Sequence, residues 1–317
     1  MASTTAPRGA PVFPTLRMPA GEIPRIAYGT GTFWGFYKTG VARDEINPKL
    51  VEAIKGAIMS AGVRHIDCAE MYGSELSVGE GLRQAFAGGV SRSDLWVTSK
   101  AWNTSKASAE ELRAACQGSL SRLGLQYLDL YLFHSPFGPN DTELSAETRQ
   151  TQWRWMEALH AEGLVRNLGV SNHRVQDLQQ IMETAHIQPA VNQIEFNPIL
   201  LAPARELIGF CHEHSIVIEA YSALASLVYD GAKGTALDAE VSAIAAEVGR
   251  NSAAVLLRWN LHQGTVVIST STKPHRVAEA LSVFDFELSE AQQERIAAVC
   301  SGVKPHVQFW QKSWSKV

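Results

Sequence analysis

The 317-residue sequence predicts a closed (β/α)8 barrel with a hairpin plug at its N-terminal end and an extra helix and tail after the last strand. Three observations lead there. Eight short apolar runs rich in β-branched residues recur along the chain, and segments of helical period stand between them. Polar residues gather at one end of those otherwise apolar runs. Strands that lack a polar face belong to a parallel sheet covered on both sides, and eight βα units close such a sheet on itself.

The segment Thr15–Arg25 turns at Pro19-Ala20-Gly21 and reads as a hairpin that plugs the barrel floor. The strands follow at Ile26–Gly29, His65–Ala69, Leu95–Lys100, Leu128–His134, Asn167–Asn172, Pro189–Glu195, Val217–Tyr221 and Thr265–Thr270. Helical period marks Pro48–Ala61, Glu75–Ala87, Ala109–Leu123, Ala146–Glu162, Val175–Thr184, Pro203–His214 and Ala239–His262. The last of these divides in two at Gly249-Arg250-Asn251-Ser252, a stop signal followed by a cap. Two further helices, Pro274–Ser282 and Ser289–Val299, follow the eighth strand. No linker or change of composition splits the chain, so one barrel domain over residues 1–317 is expected. Gly29-Thr30-Gly31 imitates a dinucleotide fingerprint, but the third glycine is misplaced and no clear helix stands directly behind it. That leaves an open doubly wound sheet as the weaker alternative.

Hydrophobic residues make up 45% and charged residues 19%, which excludes extended disorder, and a net charge of −4 without a basic block argues against nucleic acid. Four scattered cysteines fit a reducing compartment. The first 15 residues lack the apolar core of a signal peptide, and no run suits a membrane span, so a cytoplasmic protein is expected. No metal site is expected. In Cys211-His212-Glu213-His214 the two histidines sit two apart on a helix and do not face one point.

In a barrel of this kind, chemistry collects at the C-terminal strand ends. Asp67 ends the second strand with Tyr72 five residues on, Lys100 ends the third, His134 the fourth and Ser171-Asn172 the fifth. Gln193 lies on the sixth, Tyr221-Ser222 ends the seventh, and Ser269–Thr272 the eighth. Singly, each has an ordinary explanation as a cap, a solvated strand end or a loop aromatic. Together they assemble an acid. A phenol with its usual pKa of about 10 is a poor donor at neutral pH, and the Lys100 ammonium beside it is expected to lower that pKa. Asp67 would balance Lys100, and His134 would orient the substrate oxygen. Such a group serves a reaction in which negative charge develops on oxygen, such as hydride addition to a carbonyl.

The segments Gly62–Glu75, Leu95–Trp102, Leu128–Pro136, Gly169–Asn172, Val191–Glu195 and Ala220–Ser222 stand in one order along the chain. In that order they resemble the aldo-keto reductase family almost end to end. The resemblance implies a (β/α)8 barrel without a Rossmann domain, with Asp67, Tyr72, Lys100 and His134 as catalytic residues. It implies an extended NADPH and hydride transfer to an aldehyde or ketone, with a tyrosine as proton donor. Ser171, Asn172 and Gln193 correspond to residues that hold the nicotinamide amide, and Tyr221 to the tyrosine that stacks on its ring. Thr32, Ser222, Leu224, Thr270, Ser271, Lys273, Arg276 and Glu279 complete the implied cofactor set. The family leans towards monomers.

Three departures from the family pattern matter. Ser269-Thr270-Ser271 replaces the usual Pro-Lys-Ser, so Thr270 stands where a lysine commonly meets the 2′-phosphate and Lys273 is the nearest replacement charge. Ala280 replaces an amide residue near the adenine; NADPH is expected, with NADH or dual use open. Ala223 stands where a proline often follows Tyr-Ser, so the loop Ala225–Asp238 is expected to cover the pyrophosphate differently. Phe33-Trp34 replaces a single tryptophan.

Expected substrate-pocket residues are Phe33, Trp34, Trp102, Phe137, Phe309 and Trp310, with Trp314 in the same tail. The tail is expected over the barrel mouth, the alternative being the barrel flank. An aromatic wall suits bulky or aromatic carbonyls. Two rival functions stay open: an NADPH-binding regulatory or redox-sensing barrel with incidental turnover, and a Schiff-base aldolase or isomerase built on Lys100.

Overall fold

A computed structural model describes residues 14–102, 107–300, 302–309 and 311–314. The strands are β1 (Thr15–Arg17), β2 (Glu22–Pro24), β3 (Ile26–Gly29), β4 (His65–Asp67), β5 (Trp96–Ala101), β6 (Leu128–Phe133), β7 (Val165–Ser171), β8 (Val191–Glu195), β9 (Val217–Tyr221) and β10 (Val266–Ser269). The helices are α1 (Phe36–Thr39), α2 (Pro48–Gly56), α3 (Glu75–Ala87), α4 (Ala109–Leu123), α5 (Ala146–Ala161), α6 (Val175–Met182), α7 (Leu201–Glu213), α8 (Ala225–Val228), α9 (Ala236–Glu247), α10 (Ser252–His262), α11 (Pro274–Leu281), α12 (Glu290–Cys300) and α13 (Gln311–Trp314).

Strands β3 to β10 are all parallel and close into a barrel, since β10 pairs with both β9 and β3. The register sets the strand ends level: Gly29 lies opposite Asp67, Ser171 opposite Gln193, and Glu195 opposite Tyr221. This is the predicted (β/α)8 architecture. Its strand positions follow the apolar runs to within about two residues, because burial on both faces leaves few polar positions inside a strand.

The N-terminal hairpin pairs β1 with β2 and closes the floor. Met18 and Ile23 pack with Trp96, Leu130, Leu132, Val191 and Val266, while Asn167 exchanges two hydrogen bonds with the Ala20 backbone. A larger apolar layer lies between strands and helices and includes Leu50, Ile54, Leu82, Trp153 and Trp259.

One helix departs in detail from its periodicity, and another divides where the sequence predicts. The segment predicted as Pro48–Ala61 is α-helical to Gly56 and continues as a wider π-type turn over Ala57–Ala61, closed by Gly62 at φ 86°. The long Ala239–His262 pattern is indeed two helices. Gly249 takes φ 64°, and the Asn251 side chain accepts from the Ala254 amide at 2.8 Å to start α10. Among the described residues, no helix is long and apolar enough to cross a membrane.

Candidate active site

The mouth of the barrel, where the C-terminal strand ends meet, carries the predicted polar set. Lys100, near the end of β5, is fully buried; its ammonium donates to Asp67 Oδ1 at 2.7 Å and to the Cys68 carbonyl at 2.9 Å. It also reaches the Tyr72 hydroxyl at 3.4 Å. Tyr72 is brought there by the tight turn Glu70–Tyr72, which ends in Gly73 at φ 65°. Its ring packs on Gly31: a Cβ at that position would lie 2.9 Å from Tyr72 Cζ. The glycine of the false dinucleotide motif therefore makes room for the phenol.

Burial works against the Lys100 ammonium, but Asp67 and Tyr72 outweigh it and hold the pKa above the ordinary lysine value. Tyr72 departs from expectation. Burial pushes its pKa up to about 12, and the downward pull of Lys100 offsets only part of that rise. The phenol is thus firmly protonated, and Lys100 limits the penalty of forming phenolate without bringing the resting pKa below its usual value. His134 is driven well below the ordinary histidine range by burial and then by Lys100, so its imidazole is neutral. Its ring meets Tyr72 edge to face at 5.4 Å and Trp102 at 5.6 Å.

Beneath this cluster lies a second polar layer. Gln193 Nε2 donates to Asp67 Oδ1 at 3.0 Å and to Glu219 Oε2 at 2.6 Å. His65 stands nearby, its Nε2 at 3.0 Å from Thr98 Oγ1 and 3.7 Å from Glu219 Oε1. Burial draws His65 down to about 3 and pushes Glu219 up to about 8. Sequence reading passed over Glu219 and His65. The available signal was a carboxylate within an apolar strand, two residues before Tyr221 and so on the same face of β9.

The remaining strand ends form a shelf. Tyr221 donates to Asn172 Oδ1 at 2.7 Å, Asn172 Nδ2 donates to the His134 carbonyl at 2.9 Å, and Ser171 Oγ donates to the Gln193 carbonyl at 2.8 Å. Asn172 at φ 64° and Ser222 at φ 55° hold left-handed backbone without being glycine, a strain that clusters at functional sites.

A cleft of about 740 Å³ is lined from Phe33, Leu224 and Val228 to Thr270, Ser271, Arg276, Glu279 and Ala280. Its α11 end carries hydroxyls and an exposed guanidinium, a donor set that suits a phosphate-bearing cofactor. The loop expected to differ, Ala225–Asp238, begins with α8 and contributes Leu227 and Val228 to this lining, beside Leu224 just before it. Lys273, expected to replace the missing charge, stands at the N-cap position of α11 with its amide donating to Ser271 Oγ, and is not among the residues that line the cleft. Thr32 is exposed in the loop after β3, and Ser222 Oγ donates to Gln308 at 3.4 Å.

The aromatic candidates separate. Trp102 stands at the mouth beside His134, and Phe309 meets Tyr221 at 6.1 Å. Phe33 lines the cofactor-sized cleft. Trp34 is buried and donates to the Tyr28 hydroxyl, and Phe137 is 1% exposed under the Arg174 guanidinium. Both are packed into the wall, because each finds a polar or cationic partner there. Trp310 lies outside the described residues. The tail crosses the mouth: the Gln308 and Phe309 amides donate to the Glu195 carboxylate, Lys312 reaches the Asp141 carbonyl, and Trp314 is buried.

The profile of the Aldo/keto reductase family matches residues 25–300. The chain belongs to the aldo/keto reductase family. This reductase is 42% identical over 266 residues to the uncharacterised oxidoreductase YtbE of Bacillus subtilis, covering 83% of this chain and 88% of that one. It is 36% identical to the NAD/NADP-dependent indole-3-acetaldehyde reductase of Schizosaccharomyces pombe, over 92% of this chain and 96% of the other. The crystal structure of Bombyx mori aldo-keto reductase AKR2E4 in complex with NADP superposes with a TM-score of 0.81 at 32% identity, covering 95% of this chain and 96% of that one.

Proposed function

We propose that this aldo/keto reductase uses NADPH to reduce an aldehyde or ketone to an alcohol, with Tyr72 as proton donor. The observation that carries the reading is the buried Lys100 ammonium, which joins Asp67 at 2.7 Å to the Tyr72 hydroxyl at 3.4 Å. NADPH, when bound, supplies the hydride. Relatives named for NAD/NADP-dependent indole-3-acetaldehyde reduction and NADPH-dependent alpha-keto amide reduction support both cofactor and reaction.

In this reading the Tyr72 hydroxyl hydrogen-bonds the substrate oxygen and gives up its proton as charge builds there. Its high pKa keeps the proton available at neutral pH, and Lys100 stabilises the phenolate left behind. Asp67 fixes the Lys100 ammonium, and the neutral His134 orients the carbonyl. Ser171, Asn172 and Gln193 hold the nicotinamide amide, Tyr221 offers its ring as the stacking face, and Ser271 with Arg276 meets the 2′-phosphate. Thr32, Ser222, Leu224, Thr270 and Glu279 border the same path, and Trp102 and Phe309 wall the substrate side.

A Schiff-base mechanism is disfavoured because Lys100 is held as an ammonium, which is not a nucleophile. A purely regulatory barrel would not need the buried acid. We further infer one barrel domain over residues 1–317, monomeric in line with the family resemblance, and cytoplasmic, in keeping with four free buried cysteines.

The test is NADPH oxidation with a panel of aldehydes and ketones, comparing wild type with Tyr72→Phe. The variant is expected to lose roughly 10²- to 10⁴-fold in turnover while still quenching its tryptophan fluorescence with NADPH. Normal turnover in Tyr72→Phe would remove the central claim.

A further inference from the structure

The amide of Gln193 has both N–H bonds spoken for inside the barrel. One goes to Asp67 Oδ1 at 3.0 Å and the other to Glu219 Oε2 at 2.6 Å. A carboxylate such as Asp67, already paired to Lys100, can only accept. Glu219 accepts on Oε2 in either protonation state, because its other oxygen, Oε1, has no hydrogen-bond partner among the described residues and can carry the proton. Two acceptors on one side fix which end of an amide faces them. The Gln193 side-chain oxygen, Oε1, is then the group left to a ligand; its main-chain carbonyl already accepts from Ser171 Oγ.

We propose that Glu219 is a positioning residue for the cofactor: with Asp67 it locks the Gln193 amide so that its carbonyl oxygen, and not its NH2, meets the nicotinamide carboxamide. The proposal rests on the reading of the barrel mouth as the nicotinamide site. It assigns a purpose to a carboxyl that is wholly buried on β9 and meets Asp67 only through the Gln193 amide. Without Glu219 only Asp67 would restrain the amide, and Gln193 could turn its NH2 outward.

The decisive measurement compares two cofactors that differ at one group. NADPH carries a carboxamide NH2 that can donate to Gln193 Oε1; the 3-acetylpyridine analogue carries a methyl group there and can only accept. Binding constants come from quenching of tryptophan fluorescence, so no turnover is required. Wild type is expected to prefer NADPH by about ten-fold, the value of one good hydrogen bond. In Glu219→Leu the preference is expected to shrink to about two-fold, because a turned Gln193 can donate to the acetyl oxygen. Simple loosening of the site would weaken both cofactors together and leave the ratio in place.

An unchanged ratio in Glu219→Leu overturns the proposal while leaving the reductase reading intact. Failure of wild type to bind NADPH at all overturns both. Should Glu219→Leu not fold, Glu219→Met, with an unbranched side chain of similar length, reads the same ratio.

Discussion

The Lys100 ammonium and the Asp67 carboxylate meet at 2.7 Å, with the two side chains 0% and 3% exposed. Neither charge has water to fall back on. Taking one partner from a buried pair leaves the other unbalanced, at a cost of about 3–5 kcal/mol. Asp67→Asn preserves shape but removes the charge, so we expect a loss of stability of that order in urea unfolding at pH 7. Carbonyl reduction should fall as well, because Lys100 would no longer be held as a firm ammonium beside Tyr72. A variant as stable as wild type would show that Cys68 and the surrounding dipoles suffice to hold Lys100.

Glu219 yields a pH prediction whose sign can be fixed. In the native barrel it titrates at about 8, against an ordinary carboxylate value of 4.5, with burial as the first cause and Asp67 as the second. Between those values the folded chain holds a proton that the unfolded chain releases, so stability falls as pH rises from about 4.5 through about 8. Glu219→Gln has nothing to ionise. It should match wild type near pH 4.5 and exceed it at pH 9 by on the order of a few kcal/mol. His65 acts in the opposite direction. Its pKa of about 3 makes stability fall as pH drops below the usual histidine value of 6.5, and this occurs equally in both proteins and cancels in the comparison. Parallel melting curves across the range would show that Glu219 is ionised throughout.

Gly31 links the backbone to the acid. Its missing Cβ is the space in which the Tyr72 ring lies, and any added methyl would stand 2.9–3.1 Å from three ring carbons. Gly31→Ala should therefore displace the phenol from Lys100 and lower kcat by about 10²-fold, the effect of a small misplacement on an oriented group. NADPH affinity should be much less affected. Equal kcat in the variant would show that the ring tolerates the shift.

The barrel was legible because its strands are buried on both faces and its helices on one, so period and apolar content report both directly. Asp67, Lys100 and His134 were visible as polar endings to apolar strands. What escaped was whatever depends on contact across the barrel. Gly31 stands in sequence only as part of a false dinucleotide motif, because nothing there reveals that the Tyr72 ring packs into the space of its missing Cβ. The upward shift of the Tyr72 pKa was missed because burial, which outweighs Lys100, is a property of the packed mouth. Phe137 and Trp34 read as pocket walls in sequence, because an aromatic side chain looks the same whether it faces a substrate or the Arg174 guanidinium and the Tyr28 hydroxyl. Lys273 is close in sequence to Thr270, but only the folded backbone shows that it begins α11 and lies outside the residues lining the cleft.

The cofactor end of the cleft carries the last prediction. Thr270 and Arg276 both line it, while Lys273 does not; the proposed reading makes Arg276 the cation that meets a 2′-phosphate. A single exposed guanidinium gives a modest, salt-sensitive preference for NADPH over NADH. Thr270→Lys would add a second charge on the strand side of the same cleft, opposite the helix that bears Arg276. The NADPH-to-NADH affinity ratio should rise about ten-fold, in line with one added charge-assisted contact. Arg276→Ala should lower the ratio by a similar factor through weaker NADPH binding, with NADH binding little changed. Raising the salt concentration should narrow both differences, because the contact is solvent-exposed. If Arg276→Ala leaves the ratio unchanged, the 2′-phosphate is held elsewhere, and the cleft's preference does not rest on α11.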